Sequence, residues 1–190
     1  MRIMVKGVKD KVKIVVVRHG ETKYNKEHIV CGISDSPLTE AGCAQADRLR
    51  LALSNYTFDA IYTSPLVRAI NTARIINVDD SRTPITIDER LKERNYGDYE
   101  GVNEEIESFT AIKWQFGMKM PGQNGESIFQ MIQRVYNFLD QLKECDNLNT
   151  VLIVCHCGIC RIIYSYFCSI TNKMFEDYYI NNCDFQEYEL

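Results

Sequence analysis

The chain has 190 residues, 45% hydrophobic and 25% charged, with a formal net charge of −4. That length and balance predict one globular domain with a sizeable core, 1–190, and the acidic excess excludes a general nucleic-acid binder, whose footprint is basic. No apolar run is long enough to span a bilayer. Met1 to Lys13 lacks the apolar centre and cleavage site of a signal peptide, so a cytoplasmic protein is expected. The eight cysteines (31, 43, 145, 155, 157, 160, 168, 183) then read as free thiols rather than a disulfide framework.

Residues 1–11 read as an N-terminal extension, a short extra strand or a flexible arm. Val12 to Val17, apolar but for Lys13 and not alternating, reads as a strand buried on both faces, ended by Arg18-His19-Gly20. Residues 20–38 are rich in turn formers. Thr39 caps a helix that runs to about Ser54, with Ala44, Leu49 and Leu53 inward. Phe58 to Thr63 is a second strand, and Ser64-Pro65 opens the next helix with Ser64 as N-cap. Pro84 to Ile87 is a short strand, 88–101 a charged loop, and 103–116 a helix. Gly117 to Gly125 is a break. From Glu126 to Lys143, Ile128, Met131, Ile132, Val135, Phe138, Leu139 and Leu142 recur at helical spacing. Thr150 to Cys155 is another fully apolar strand, ended by His156-Cys157-Gly158. A helix over 159–169 and a last strand near 184–188 complete the chain. Strands alternating with helices predict an α/β fold: a mainly parallel, doubly wound sheet covered on both faces, three layers in all.

In such a sheet the C-terminal ends of parallel strands share one edge, where ligands bind. His19 and His156 then face one cleft. The strand over 58–63 points Arg68, in the first turn of its helix, at the same edge. Two arginines, two histidines and a helix N-terminus form a phosphate site. Cys155-His156-Cys157 with Cys160 raises the question of zinc. No second Cys-x-x-Cys lies nearby, and no metal site is expected. Cys157 beside a cationic pocket is expected to have a lowered thiol pKa and to inhibit when oxidised or alkylated. His28 receives no role.

The chain resembles the histidine phosphatase (phosphoglycerate-mutase-like) superfamily. The resemblance is carried by Arg18-His19-Gly20-Glu21-Thr22 with Asn25, by Gly32 to Gly42 leading to Gln45-Ala46, and by Ser64 to Ala73. It continues through Leu91 to Gly101, Pro121-Gly122 with Gly125-Glu126-Ser127, and His156-Cys157-Gly158. It implies a phosphoglycerate-mutase-like fold and two-step phosphoryl transfer without metal or cofactor. His19 attacks phosphorus and carries the phosphoryl group. Arg18, Arg68 and a protonated His156 stabilise its oxygens, and Glu93, with Glu89 as the alternative, protonates the leaving oxygen. Asn25 donates to the phosphoryl group, Ser64 caps its helix and faces the site, and Arg94, Tyr96, Cys31, Gly32 and Cys157 lie on the substrate side.

Residues 102–125, with Phe109, Trp114, Phe116, Met118 and Met120, form a lid or specificity segment or, alternatively, a homodimer surface. They hold no paired-arginine insert of the mutase kind, and an open site admits water. The expected substrate is a small phosphorylated metabolite: a sugar phosphate, a phosphoglycerate or a nucleotide-loop phosphate of cobalamin synthesis. Phosphate or sulfate is expected to occupy the site. The alternatives are a cofactor-dependent phosphoglycerate mutase, favoured by Glu93-Arg94-Asn95-Tyr96-Gly97, and a phospho-ligand-binding regulatory module with weak turnover.

Overall fold

β-Branched residues dominate Lys13–Arg18 (β1) and Thr150–Cys155 (β4), and the two strands pair in parallel inside a five-stranded sheet. In this computed structural model, which describes residues 11–78 and 83–190, the strand order is β3-β2-β4-β1-β5. Residues 1–10 of the expected N-terminal extension lie outside the described residues. Ala60–Thr63 (β2) and Ile85–Ile87 (β3) extend the parallel part, and Phe185–Glu189 (β5) closes the other edge antiparallel to β1.

Both central strands are buried from their second residue onward, and alternate side chains enter two cores. Ile14, Val16, Val151 and Ile153 pack with helices Ile128–Lys143 (α5) and Cys157–Phe167 (α6). Val15, Val17, Leu152 and Val154 pack on the other face, with Glu40–Ala52 (α2) and Val67–Ile76 (α3). This is the three-layer arrangement that the alternation of elements predicts. A capping box between Ser127 and Gln130 starts α5 two residues after Glu126.

Four local expectations need correction. In α2 the inward stripe is Gly42, Ala46, Leu49 and Leu53, while Ala44 is exposed. Gly42 packs on the Glu21 backbone, where a Cβ would lie 2.1 Å from the Glu21 carbonyl oxygen, so the helix is turned to present its glycine. Ser64 does not cap α3. The carboxylate of Asp35, from the preceding loop, accepts from Val67 N–H (2.5 Å) and Arg68 N–H (3.4 Å) instead. The loop over 20–38 contains one helical turn, Lys23–Lys26 (α1), held by a Thr22–Asn25 capping box. The expected helix over 103–116 shrinks to Glu107–Thr110 (α4) and a run of turns. Arg94 accompanies this break: its buried guanidinium takes the carbonyls of Lys113, Met118 (3.2 Å) and Glu126 (2.8 Å), the first of which falls near the end of the expected helix. A further short helix, Asn172–Asp177 (α7), follows α6.

Candidate active site

The register of the central strands decides what meets at their ends. Arg18 is paired with Cys155, and the His19 amide donates to the Cys155 carbonyl (2.9 Å), one step beyond the ladder. His19 and His156 therefore emerge side by side, ring centroids 5.1 Å apart. On the far side of β4 the Ser64 amide bonds the Val154 carbonyl (3.1 Å), bringing the Ser64 hydroxyl within 2.7 Å of His156 Nε2. His19 Nδ1–H donates to the Gly20 carbonyl at 2.7 Å, which fixes the tautomer and leaves Nε2 as the free ring nitrogen.

Both guanidiniums of the expected phosphate site are buried. Arg18 Nη1 donates to the Ile180 carbonyl (2.7 Å). Arg68 is tied to the loop before it: Nη1 to the Ser34 carbonyl (2.8 Å), Nη2 to the Gly32 carbonyl (2.7 Å), with Asp35 at 3.3 Å. Arg18 Nε, Arg68 Nε and His156 Nδ1 are shielded from solvent and have no partner in the protein. Buried donors are ordinarily satisfied, and three orphans around one imidazole mark a place for an anionic group. The α3 N-terminus does not contribute to that place, because Asp35 occupies it.

Glu93 reaches the same edge from the loop after β3. Its Oε1 accepts from Arg94 N–H (2.9 Å) and its Oε2 from Gly158 N–H (3.0 Å), so two backbone donors hold the carboxylate. Glu89, the alternative, is an exposed surface residue paired with Lys92. Asn25 lines the cleft; its Oδ1 accepts from Thr22 and, at 3.4 Å, from Asn182, so its NH2 is the group left for a ligand.

The cleft above these groups has a volume of about 570 Å³. Its walls include His19, Glu93, Cys31, Tyr96 and Cys157. Two substrate-side assignments do not hold. Arg94 is fully buried away from the cleft, bracing the 113–126 segment. Gly32 is buried against the Arg94 carbonyl, where a Cβ would approach to 2.1 Å; its role is backbone approach. Among the described residues no three His, Cys, Asp or Glu side chains gather as a metal site; Cys155 and Cys160 instead pack sulfur to sulfur at 3.6 Å in the core.

The family model described as histidine phosphatase superfamily (branch 1) matches residues 14–190. The chain belongs to that superfamily. An adenosylcobalamin/alpha-ribazole phosphatase of Escherichia coli (strain K12) is 31% identical over 160 residues, which are 80% of this chain and 77% of that protein. A 2,3-bisphosphoglycerate-dependent phosphoglycerate mutase of Cytophaga hutchinsonii is 36% identical over 151 residues, 75% of this chain and 71% of that protein. Among solved structures, YhfR of Bacillus stearothermophilus has a TM-score of 0.81 at 31% identity, covering 93% of this chain and 90% of that one. The alpha-ribazole phosphatase of Shigella flexneri has a TM-score of 0.80 at 27% identity, with 93% and 89% covered. This histidine phosphatase is thus an enzyme with phosphatase activity. No helix among its described residues is long and apolar enough to cross a membrane.

The electrostatics of the phosphatase site differ from expectation at two residues. Burial, then Arg68 and His19, pushes the His156 imidazole well below its ordinary pKa, so it is neutral in the unliganded protein rather than protonated. Burial pushes the Cys157 thiol up, and outweighs the lowering by Arg18 and Arg161; the expected thiolate is not formed. His19 is likewise held well below 6.5, first by burial and then by Arg68 and Arg18, and stays a neutral nucleophile.

These two depressed histidines predict an acid limb of stability. The unfolded chain takes up protons below about 6.5 that the folded chain refuses, so the contribution is complete above that value and is lost as pH falls. For two groups the slope reaches about 2.7 kcal/mol per pH unit. Asp59, Asp88 and Glu187, all held low, act only in the carboxylate range, and exposed His28, raised by Glu104, opposes weakly. Urea midpoints at pH 7.5 and 5.5 check this: the midpoint drops at pH 5.5, and an equal or higher value there contradicts it.

The sequence reading named Trp114 of the expected lid segment, which lines the cleft, but passed over Arg161, Lys113, Tyr178, Tyr179 and Asn182. All but Asn182 line the cleft, and Asn182 donates to the His19 carbonyl (2.8 Å). For Arg161 a signal was present: a lone charge inside the apolar run Ile159-Cys160-Arg161-Ile162-Ile163.

Proposed function

We propose that the protein is a phosphomonoesterase that acts on a small phosphorylated metabolite through a phosphohistidine and needs no metal. The observation that carries this is the free Nε2 of neutral His19 beside three shielded donors without protein partners. His19 Nε2 attacks phosphorus as the P–O bond to the leaving group breaks. Arg18 Nε, Arg68 Nε and His156 Nδ1 bond the equatorial oxygens, whose charge is stabilised in a low-dielectric site. Ser64 Oγ accepts from Leu66 N–H (3.3 Å), and in this reading its own proton goes to His156 Nε2 at 2.7 Å. We therefore assign the remaining ring proton to Nδ1, where a neutral His156 donates to the phosphoryl group. Asn25 supplies a further donor. Glu93 gives its proton to the leaving oxygen, then takes one from the water that attacks the phosphohistidine. Inorganic phosphate leaves and His19 is restored.

The exposed rim residues Glu104, Glu105, Glu176 and Asp177 leave the cleft open to that water, which favours hydrolysis over transfer to a second acceptor. Phosphate release from p-nitrophenyl phosphate in excess EDTA tests the reading. Turnover is expected, together with a labelled phosphoenzyme stable to alkali and labile to acid. Turnover that appears only on adding a divalent cation would overturn it. The likeness to a phosphoglycerate mutase supports the second reading, and interconversion of 2- and 3-phosphoglycerate faster than their hydrolysis would establish it.

A further inference from the structure

We infer that Glu100 is a positioning residue for Arg68, whose fork it aims at the phosphoryl group from the far side of the 31–34 backbone. This rests on the reading above that Arg68 Nε bonds the phosphoryl group. Glu100 is half-buried in the loop after β3, and its carboxylate collects five donors. Oε2 accepts from the amides of Gly32 (3.0 Å) and Ser34 (3.2 Å) and from the Ser34 hydroxyl (2.5 Å). Oε1 accepts from the amides of Ile33 (3.1 Å) and Tyr96 (3.0 Å). Among the described residues no lysine, arginine or histidine side chain pairs directly with this carboxylate.

The same backbone holds Arg68 from its other side. The Gly32 carbonyl takes Arg68 Nη2 (2.7 Å), the Ser34 carbonyl takes Nη1 (2.8 Å), and the Cys31 carbonyl lies 3.5 Å from Nη2. The peptide group joining Gly32 to Ile33 therefore donates to Glu100 with its N–H and accepts from Arg68 with its C=O. The group joining Cys31 to Gly32 does the same at longer range. Two peptide dipoles thus lie with their positive ends on the carboxylate and their negative ends on the guanidinium, and carry the charge pair across the loop. The direct carboxylate neighbour of Arg68, Asp35, approaches Nη1 only to 3.3 Å and is engaged by Val67 N–H. With Nη1 and Nη2 held by carbonyls the plane of the fork is set, and Nε is the one nitrogen left without a protein partner. The loop is seated without slack: a Cβ on Gly32 would lie 2.1 Å from the Arg94 carbonyl oxygen and 2.2 Å from Glu100 Oε1. A tilt of the fork misdirects Nε, and a misplacement of about 1 Å costs on the order of 10²-fold in rate.

A double-mutant cycle tests the assignment. Glu100→Gln keeps the shape of the side chain but sets an amide NH2 against N–H donors whichever way it is turned. It is expected to lower kcat/KM for p-nitrophenyl phosphate about 10–100-fold in the wild-type background. In Arg68→Met, where there is no fork to aim, the same change is expected to cost less than about threefold. Glu100→Asp, which keeps the charge and shortens the reach, is expected to give an intermediate loss, and it carries the cycle if the glutamine variant does not fold. A brace for the loop alone would cost the same factor in both backgrounds. That result would overturn the inference, as would a Glu100→Gln loss below about threefold in the wild-type background. Calorimetric Kd values for inorganic phosphate on the His19→Ala protein read the coupling without turnover. Glu100→Gln is expected to weaken phosphate about tenfold there, and to weaken it no further once Arg68→Met is present; equal weakening in both overturns the inference. A fully active Arg68→Met would take down the reading of the phosphoryl site itself, whereas additive losses beside a damaged Arg68→Met take down the role of Glu100 alone.

Discussion

His19→Ala lowers kcat/KM for phosphate release by on the order of 10⁴-fold or more, because it removes the atom that accepts the phosphoryl group and not a group that assists. The loss amounts to about 5.4 kcal/mol or more of transition-state stabilisation. The fold survives the change. His19 makes one side-chain hydrogen bond, to the adjacent Gly20 carbonyl, and the strand that carries it is held by β4 and β5. Removing an imidazole kept neutral by burial also removes a source of acid sensitivity. The check is steady-state kinetics, circular dichroism and phosphoenzyme labelling on one preparation. Activity within tenfold of wild type, or a label that persists, removes His19 from the nucleophile's role.

Gly158→Ala separates the acid from the nucleophile. A Cβ at 158 would lie 2.4 Å from Glu93 Oε1 and 3.1 Å from its Cδ, and that carboxylate is pinned by the amides of Arg94 and of Gly158 itself. The backbone at Gly158 is helical, within α6, so alanine brings no local strain and raises helix propensity by about 1 kcal/mol. The whole cost falls on the position of Glu93. Alkyl phosphates, whose alcohols leave only when protonated, are expected to lose about 10²–10³-fold in kcat/KM. p-Nitrophenyl phosphate, whose anion leaves unaided, is expected to lose less than about tenfold. Glu93→Gln should show the same contrast. Equal losses on both substrate types would show that Glu93 positions the substrate without protonating it.

The meeting of His19 and His156 was legible because two continuously apolar strands announce themselves, and parallel pairing leaves little freedom in what their ends do. The amphipathic α5, with its box at Ser127, was equally plain. Periodicity cannot show where a buried side chain reaches across the fold. Arg94 sits in a charged run that reads as surface, yet its guanidinium is buried and captures carbonyls from another segment. Asp35 caps α3 from a loop on the far side of α2 in sequence, taking the place of adjacent Ser64. The direction of the Cys157 thiol depended on burial outweighing two nearby arginines, which is a matter of depth. Arg161 did leave a trace, as a cation among isoleucines, but its place in the cleft wall is visible only once Trp114 and the 176–178 strip are in place.

The pairing of β1 with β4 also dates the appearance of activity during synthesis. β1 leaves the ribosome with its histidine before its partner strand, which follows only after the residues between Arg18 and Cys155 have been made, on the order of ten seconds at ordinary elongation rates. Until then β1 is an apolar, β-branched segment with two unpaired edges, the kind that invites chaperones or aggregation. A stalled nascent chain that has not yet exposed β4 has the nucleophile and both arginines but lacks His156, and its site is incomplete.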